Sequence, residues 1–333
     1  MNYTVDAHLD LAFDIERQRA FGKRKVLDSQ YLPSLVAGNV GILVSSVFVE
    51  NQFVPEMALR VALRQVSALK ADIEECGAHF AFCRSVAEAD RAVAAGKIAV
   101  MLSLEDCIPI YDDLCLLDVF WELGVRMVGL SWSRRNYACD GASFTPAEAG
   151  TQGGLTAFGL RLVRRCQERG LLIDVSHVNR RSFYDVAEAA EKPFIASHSN
   201  ARHFVDTERN LSDDQIRLIA RRGGVIGINA MNFITCSTEE EESMDRIADQ
   251  IQYMAEIGGV QCVGLGFDLN DRILKYIPQD ELNLLSRPPR DLLAGHEDVP
   301  ELGRKLEKRG FEEKEIRLIL GGNFYRVYQE VIG

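Results

Sequence analysis

Tyr3-Thr-Val-Asp-Ala-His-Leu-Asp10 is an apolar, β-branched run that closes on two metal-ligating residue types one position apart. Side chains of a strand alternate between its faces, so His8 and Asp10 point to the same side and can share one ion. That pairing directs attention to the ends of the other apolar runs. After Tyr3 to Ala7 come Gly41 to Val49, Lys97 to Leu104, Val125 to Leu130, Leu171 to Val175, Pro193 to Ala196, Gly224 to Asn229 and Cys262 to Gly266, eight candidate strands in all.

Between them, Pro55 to Cys76, Leu155 to Arg169 and Ser243 to Ile257 carry apolar residues at the three-and-four spacing of amphipathic helices. Gly170 follows the Arg-rich end of one helix, and Ser212-Asp-Asp-Gln215 reads as an N-cap with a partial capping box. Near-continuous apolar strands alternating with helices imply a parallel sheet covered on its faces. Eight such units in this length favour a (β/α)8 TIM barrel over an open doubly wound sheet. No repeat, low-complexity tract or composition break marks a linker, so residues 1–333 read as one barrel domain. Asn270 to Asp298 is the longest stretch without a helix or strand pattern. Such a loop either covers a barrel site or makes a surface excursion.

The chain has 333 residues, 47% hydrophobic and 26% charged, the balance of a globular protein with a sizeable core. Its formal charge of -11, from 49 acidic and 38 basic residues, argues against a nucleic-acid partner. The first residues lack the basic and apolar regions of a secretory signal, and no apolar stretch is long enough to span a bilayer. The expectation is a cytoplasmic protein with no membrane contact. Eight cysteines without a CxxC pair suggest reduced thiols rather than a disulfide or zinc-ribbon framework. Cys107 stands two residues after Glu105 and reads as a buried structural thiol.

Six residues at or just beyond strand ends make the candidate site: His8, Asp10, Glu105, His177, His198 and Asp268. Glu105 closes a run that would bury its carboxylate unless a cation or donor compensated. His177 and His198 end adjacent strand units, each delivering an imidazole, the preferred nitrogen ligand of zinc. Two histidines on one ion, a His and an Asp on the other, and a shared Glu would form a two-metal hydrolytic site. Asp268 is read as a ligand or as an acid/base and substrate anchor. Arg209, beyond His198, is placed to clamp a carboxylate with two prongs. His79, His203 and His296 are read as structural.

These residues resemble the renal or membrane dipeptidase family, zinc-dependent peptidases on a (β/α)8 barrel. The match runs through Asp6-Ala-His8-Leu-Asp10, Glu105, Asp174-Val-Ser-His177, Ser197-His198-Ser199, Arg209-Asn210 and Gly321-Gly-Asn-Phe-Tyr-Arg-Val327. The resemblance implies two zinc ions, one held by His8, Asp10 and Glu105 and the other by Glu105, His177 and His198. A bridging hydroxide would attack the peptide carbonyl of a dipeptide, including one with a D-residue at its C-terminal position. Arg209 would grip the C-terminal carboxylate, and Asp268 would assist near the amino group and leaving nitrogen. A homodimer is also implied.

Three departures from the family pattern stand out. The family's Leu-Thr-His element becomes Leu130-Ser-Trp132, which removes an imidazole thought to steady the tetrahedral intermediate and leaves Arg134, Arg135 and Asn136 as nearby donors. Trp132 and Asn136 therefore join Arg209 as expected substrate-binding residues. Glu-Gly-Gly becomes Glu105-Asp106-Cys107, and Asp-Phe-Asp-Gly becomes Asp268-Leu-Asn-Asp271. Two other readings stay open: hydrolysis of another small amide or lactam, and metal binding without turnover.

Overall fold

A computed structural model of the chain describes residues 2–143, 152–283 and 285–333. Its eight strands are β1 (Thr4–Leu9), β2 (Val40–Val47), β3 (Phe80–Phe82), β4 (Ile98–Leu104), β5 (Val125–Gly129), β6 (Leu172–Asp174), β7 (Ile226–Ile228) and β8 (Val263–Leu265). They form one parallel sheet in the order β6-β5-β4-β2-β1-β8-β7, with β3 paired to β4 off this path. Single parallel bridges from Asp174 to Ile195 and from Ala196 to Ile226 join β6 to β7, closing the sheet as a (β/α)8 barrel.

Two details differ from the sequence expectation. Pro193 to Ala196 takes a strand's place in the ring but contributes only those two bridges. The ladder stops because the Ser197 N–H turns to the Asp174 carboxylate, 2.9 Å away, instead of a backbone carbonyl. Conversely, the short run Phe80–Phe82 is a true strand. Ala99 of β4 pairs with Ile42 of β2 and with Ala81 of β3, so β3 occupies the start of the edge that β5 takes further along.

The expected helices form at Ala58–Glu75, Ala157–Glu168 and Met244–Gly258. Thr156 caps the second by accepting from the Gly159 N–H at 3.0 Å, and Ser212 and Gln215 complete the capping box of helix Asp213–Arg221. Gly170 sits at φ +66, the left-handed conformation that ends a helix with least strain.

Strand alternation fixes which residues fill the barrel. Ile42 and Val44 share a face with Ser46, and Ala99 and Met101 share one with Ser103. These four pack with Val5, Met127 and Leu172 and with Phe324, Val327 and Tyr328 of helix Asn323–Val331, making an apolar floor. Above it, the strand exits carry polar residues. Strand β1 departs from simple alternation: its pairing is irregular between Asp6 and Leu9, and the Asp6 carboxylate accepts from the His8 N–H at 3.3 Å. Asp6 thus turns away from the side that His8 and Asp10 share.

No helix among the described residues is long and apolar enough to cross a membrane. The stretch between Asn270 and Asp298, of which Leu284 lies outside the described residues, runs over the strand exits. It contributes Ile273, Leu274, Ile277, Leu282, Leu285 and Pro289 to the wall of a cavity there.

Candidate metal centre and active site

The six strand-end residues converge. Nε2 of His8 lies 3.8 Å from Oε1 of Glu105, 3.8 Å from Oδ1 of Asp268 and 4.0 Å from Oδ1 of Asp10. The same Glu105 oxygen is 3.2 Å from Nε2 of His177 and 3.7 Å from Nε2 of His198. Glu105 therefore stands between two sets of donors. Its Oε2 and the Nε2 of His8 are buried and have no hydrogen-bond partner among the described residues. Buried polar atoms are rarely left so, and both are of the chemical type that ligates a cation.

Neighbouring hydroxyls hold the imidazoles in this orientation. The hydroxyl of Ser133 is 2.8 Å from Nδ1 of His177, and that of Ser197 is 2.6 Å from Nδ1 of His198. With each Nδ1 engaged, both Nε2 atoms face inward, 2.9 Å apart, as ligands of one ion would. Asp174 also lies close enough to His8 and His198 to complete a third donor group. Its oxygens are already occupied by the backbone N–H groups of Ser176 and Ser197 and by both serine hydroxyls. Asp174 consequently braces the two histidine-bearing turns.

The electrostatics fit cation binding. Burial, with the nearby Arg209 charge, pushes His8 down to about 3, and burial holds His177 and His198 well below the usual histidine range. All three stay neutral, the form in which imidazole ligates a metal. Burial pushes the Asp10 carboxyl up to about 6 against the hydrogen bond from Ser46. Burial and then the Asp10 charge raise Asp268 to about 8, and the same causes raise Glu105 far above the carboxylate range. Crowded, desolvated carboxylates of this kind are relieved by a divalent ion.

Asp268 follows β8 at φ +54, an unusual conformation for a residue with a side chain. Its carboxylate accepts from the amides of Asn229 (2.8 Å) and Asn270 (3.1 Å), which fix it at the cavity wall. Asn229 was not foreseen as a site residue; its signal was a polar residue closing an apolar strand. Arg209 is buried, donates to Ser199 Oγ at 3.0 Å and to the His198 carbonyl at 2.7 Å, and lies 3.2 Å from Nε2 of His177. Its guanidinium lines the cavity.

Trp132 also lines the cavity. Its ring centroid is 5.7 Å from that of His177 at an interplanar angle of 29° and 5.3 Å from that of Phe48. Arg134 lies over the indole at 5.4 Å while its Nε donates to Asp106 at 2.9 Å. Arg135 pairs with Asp140. Asn136 does not join this wall, contrary to the sequence expectation. Its amide donates to Asp106 and the Leu130 carbonyl, both at 2.7 Å, and accepts from the N–H groups of Ala138 and Cys139, so the loop itself uses it. Cys107 is a buried thiol pushed up by desolvation, as expected of a structural cysteine.

The comparisons with known proteins agree with this geometry. The family model described as membrane dipeptidase, peptidase family M19, matches residues 2–332. The chain is 29% identical over 313 residues to an uncharacterised dipeptidase of Schizosaccharomyces pombe, covering 88% of this chain and 70% of that one. It is 29% identical over 282 residues to a Klebsiella pneumoniae protein from the pqqA 5' region, covering 84% and 98%. Among solved structures, a dipeptidase of family M19 superposes with a TM-score of 0.85 at 24% identity, covering 99% of both chains. A Rhodobacter sphaeroides metallopeptidase, liganded with a phosphinate mimic of the dipeptide L-Ala-D-Ala, superposes with a TM-score of 0.85 at 22% identity, again covering 99% of both. The chain belongs to the membrane dipeptidase family. It is a metallopeptidase, a hydrolase acting on dipeptides.

Proposed function

We propose that the protein is a dinuclear zinc dipeptidase working from a single barrel domain, residues 1–333. The observation that carries this reading is the pair of orphaned buried atoms, Nε2 of His8 and Oε2 of Glu105, inside a ring of neutral imidazoles and crowded carboxylates. His8, Asp10 and Glu105 would hold one ion, and Glu105, His177 and His198 the other. Nitrogen and carboxylate donors of this kind suit zinc. When bound, such a pair of ions would lower the pKa of a water nucleophile and polarise the scissile carbonyl.

The surrounding residues bind and orient the dipeptide. Arg209 grips its C-terminal carboxylate with charge-assisted hydrogen bonds. Asp268, fixed by Asn229 and Asn270, receives the amino group and passes to the leaving nitrogen the proton given up by the attacking water. Trp132 lies flat along the substrate in place of the family's imidazole. The ligand of the Rhodobacter sphaeroides relative supports extending the substrate class to dipeptides with a C-terminal D-residue. Eight free cysteines support a reducing, cytoplasmic setting, and the family resemblance supports a homodimer, which light scattering would test.

The deciding experiment is turnover of an L,L and L,D dipeptide panel by zinc-loaded protein, with metal content measured on the same sample. Release of both amino acids, abolished by a chelator and restored by zinc, is expected. Ring opening of a lactam with no dipeptide cleaved would overturn the proposal.

A further inference from the structure

The cavity, about 450 Å³ in volume, has two chemically different sides. Its lining by the Arg209 turn mixes Ser133, Asp140 and Gln152 with Met231, Phe233 and Ile234, whose carbonyl accepts from Asn210. Beside Asp268, past the Asn229 and Asn270 amides that hold it, the lining becomes apolar. The helix after Asp10 brings Phe13 to within 6.1 Å of Phe48, ring to ring, and Phe48 packs on Trp132. The chain leaving Asp268 adds Ile273 and Ile277 to the same cluster. Phe48, Trp132, Ile273, Leu274 and Ile277 all open into the cavity. Three different strand exits thus supply one continuous apolar wall beside the carboxylate that receives the amino group.

We propose that this wall makes the protein selective for dipeptides with a large apolar side chain on the amino-terminal residue. The inference rests on the dipeptidase reading and its orientation of Arg209 and Asp268. With the carboxylate at Arg209 and the amino group at Asp268, the first residue's side chain meets the aliphatic and aromatic wall. Each methylene it places there contributes severalfold to kcat/KM, so Leu against Ala is worth about 30- to 100-fold. A charged side chain would lose its hydration against this surface, where Arg134, Asp10 and Asp268 already have partners of their own, and be disfavoured more strongly still.

The test is kcat/KM for the isomers Leu-Ala and Ala-Leu, and for Glu-Ala and Lys-Ala, with zinc-loaded full-length protein. Leu-Ala should exceed Ala-Leu by about 10-fold or more and the charged pair by about 100-fold or more. In Ile273→Asn and Ile277→Asn the ratio of Leu-Ala to Ala-Leu should shrink toward one. Equal rates for the two isomers, or a preference for Ala-Leu, would overturn the inference while leaving the dipeptidase reading intact. Failure to cleave any of the four, or their counterparts with a D-residue at the C-terminal position, would overturn that reading and this inference with it.

Discussion

Nε2 of His296 lies 2.7 Å from Oδ2 of Asp6, joining the far end of the long loop to the first strand at a fully buried point. The other Asp6 oxygen accepts from the N–H groups of His8, at 3.3 Å, and Phe267, at 3.1 Å. One carboxylate therefore sets the backbone on which His8 and Asp268 both depend. His296→Ala leaves it buried with a lost partner and should cost about 3 kcal/mol of stability, read by urea denaturation. His296→Gln, which can still donate, should recover part of the loss. A wild-type midpoint in His296→Ala would refute this role.

Removing Glu105, the proposed shared ligand, should uncouple metal from fold. Glu105→Ala is expected to reduce bound zinc from about two ions to one or none and to abolish dipeptide cleavage. Because burying that carboxylate is unfavourable without a cation, metal-free Glu105→Ala should be at least as stable as metal-free wild type. Thermal unfolding in chelator, beside elemental analysis, checks both halves.

Asp291 bridges the loop to its own start, accepting the N–H groups of Asn270 and Asp271 at 2.9 Å each. Burial pushes its carboxyl up to about 7. The folded value lies above the unfolded one of ~3.9, so its contribution to stability is complete below about pH 4 and is lost as pH rises through 7. The loss is on the order of 2 kcal/mol, allowing for partial exposure. Asp291→Asn should flatten the slope of stability between pH 4 and 7; an unchanged slope would rule the group out as its source.

Trp132 and Trp121 are the two tryptophans, and Trp132 is the one in the cavity wall. Substrate-like inhibitors should therefore change the emission of Trp121→Phe protein and leave that of Trp132→Phe protein unaltered. Trp132→Ala should lower kcat/KM for apolar dipeptides by about 10- to 100-fold through lost contact area.

The convergence of the strand-end residues was legible because a polar residue closing an apolar run is locally anomalous, as at Glu105, His177 and His198. Residues whose meaning depends on distant pairing were not. Phe80–Phe82 is too short to carry a periodic signal and becomes a strand only because β4 offers an edge. Period-two alternation would put Asp6 beside His8, yet its carboxylate leaves that face for His296, 290 residues away. Asn136 looked free to reach substrate because nothing nearby in sequence reveals that Asp106 and the Leu130 carbonyl claim its amide.

The loop from Asn270 to Asp298 is stapled at its near end by Asp291 and at its far end by the bond between His296 and Asp6. The proposed ligands sit on the barrel strands and their short exits. Much of the apolar wall thus stands on a different part of the chain from the proposed ligands. Descendants of this sequence can lengthen, shorten or rewrite the segment between the staples and acquire new foods without relearning how to hold an ion.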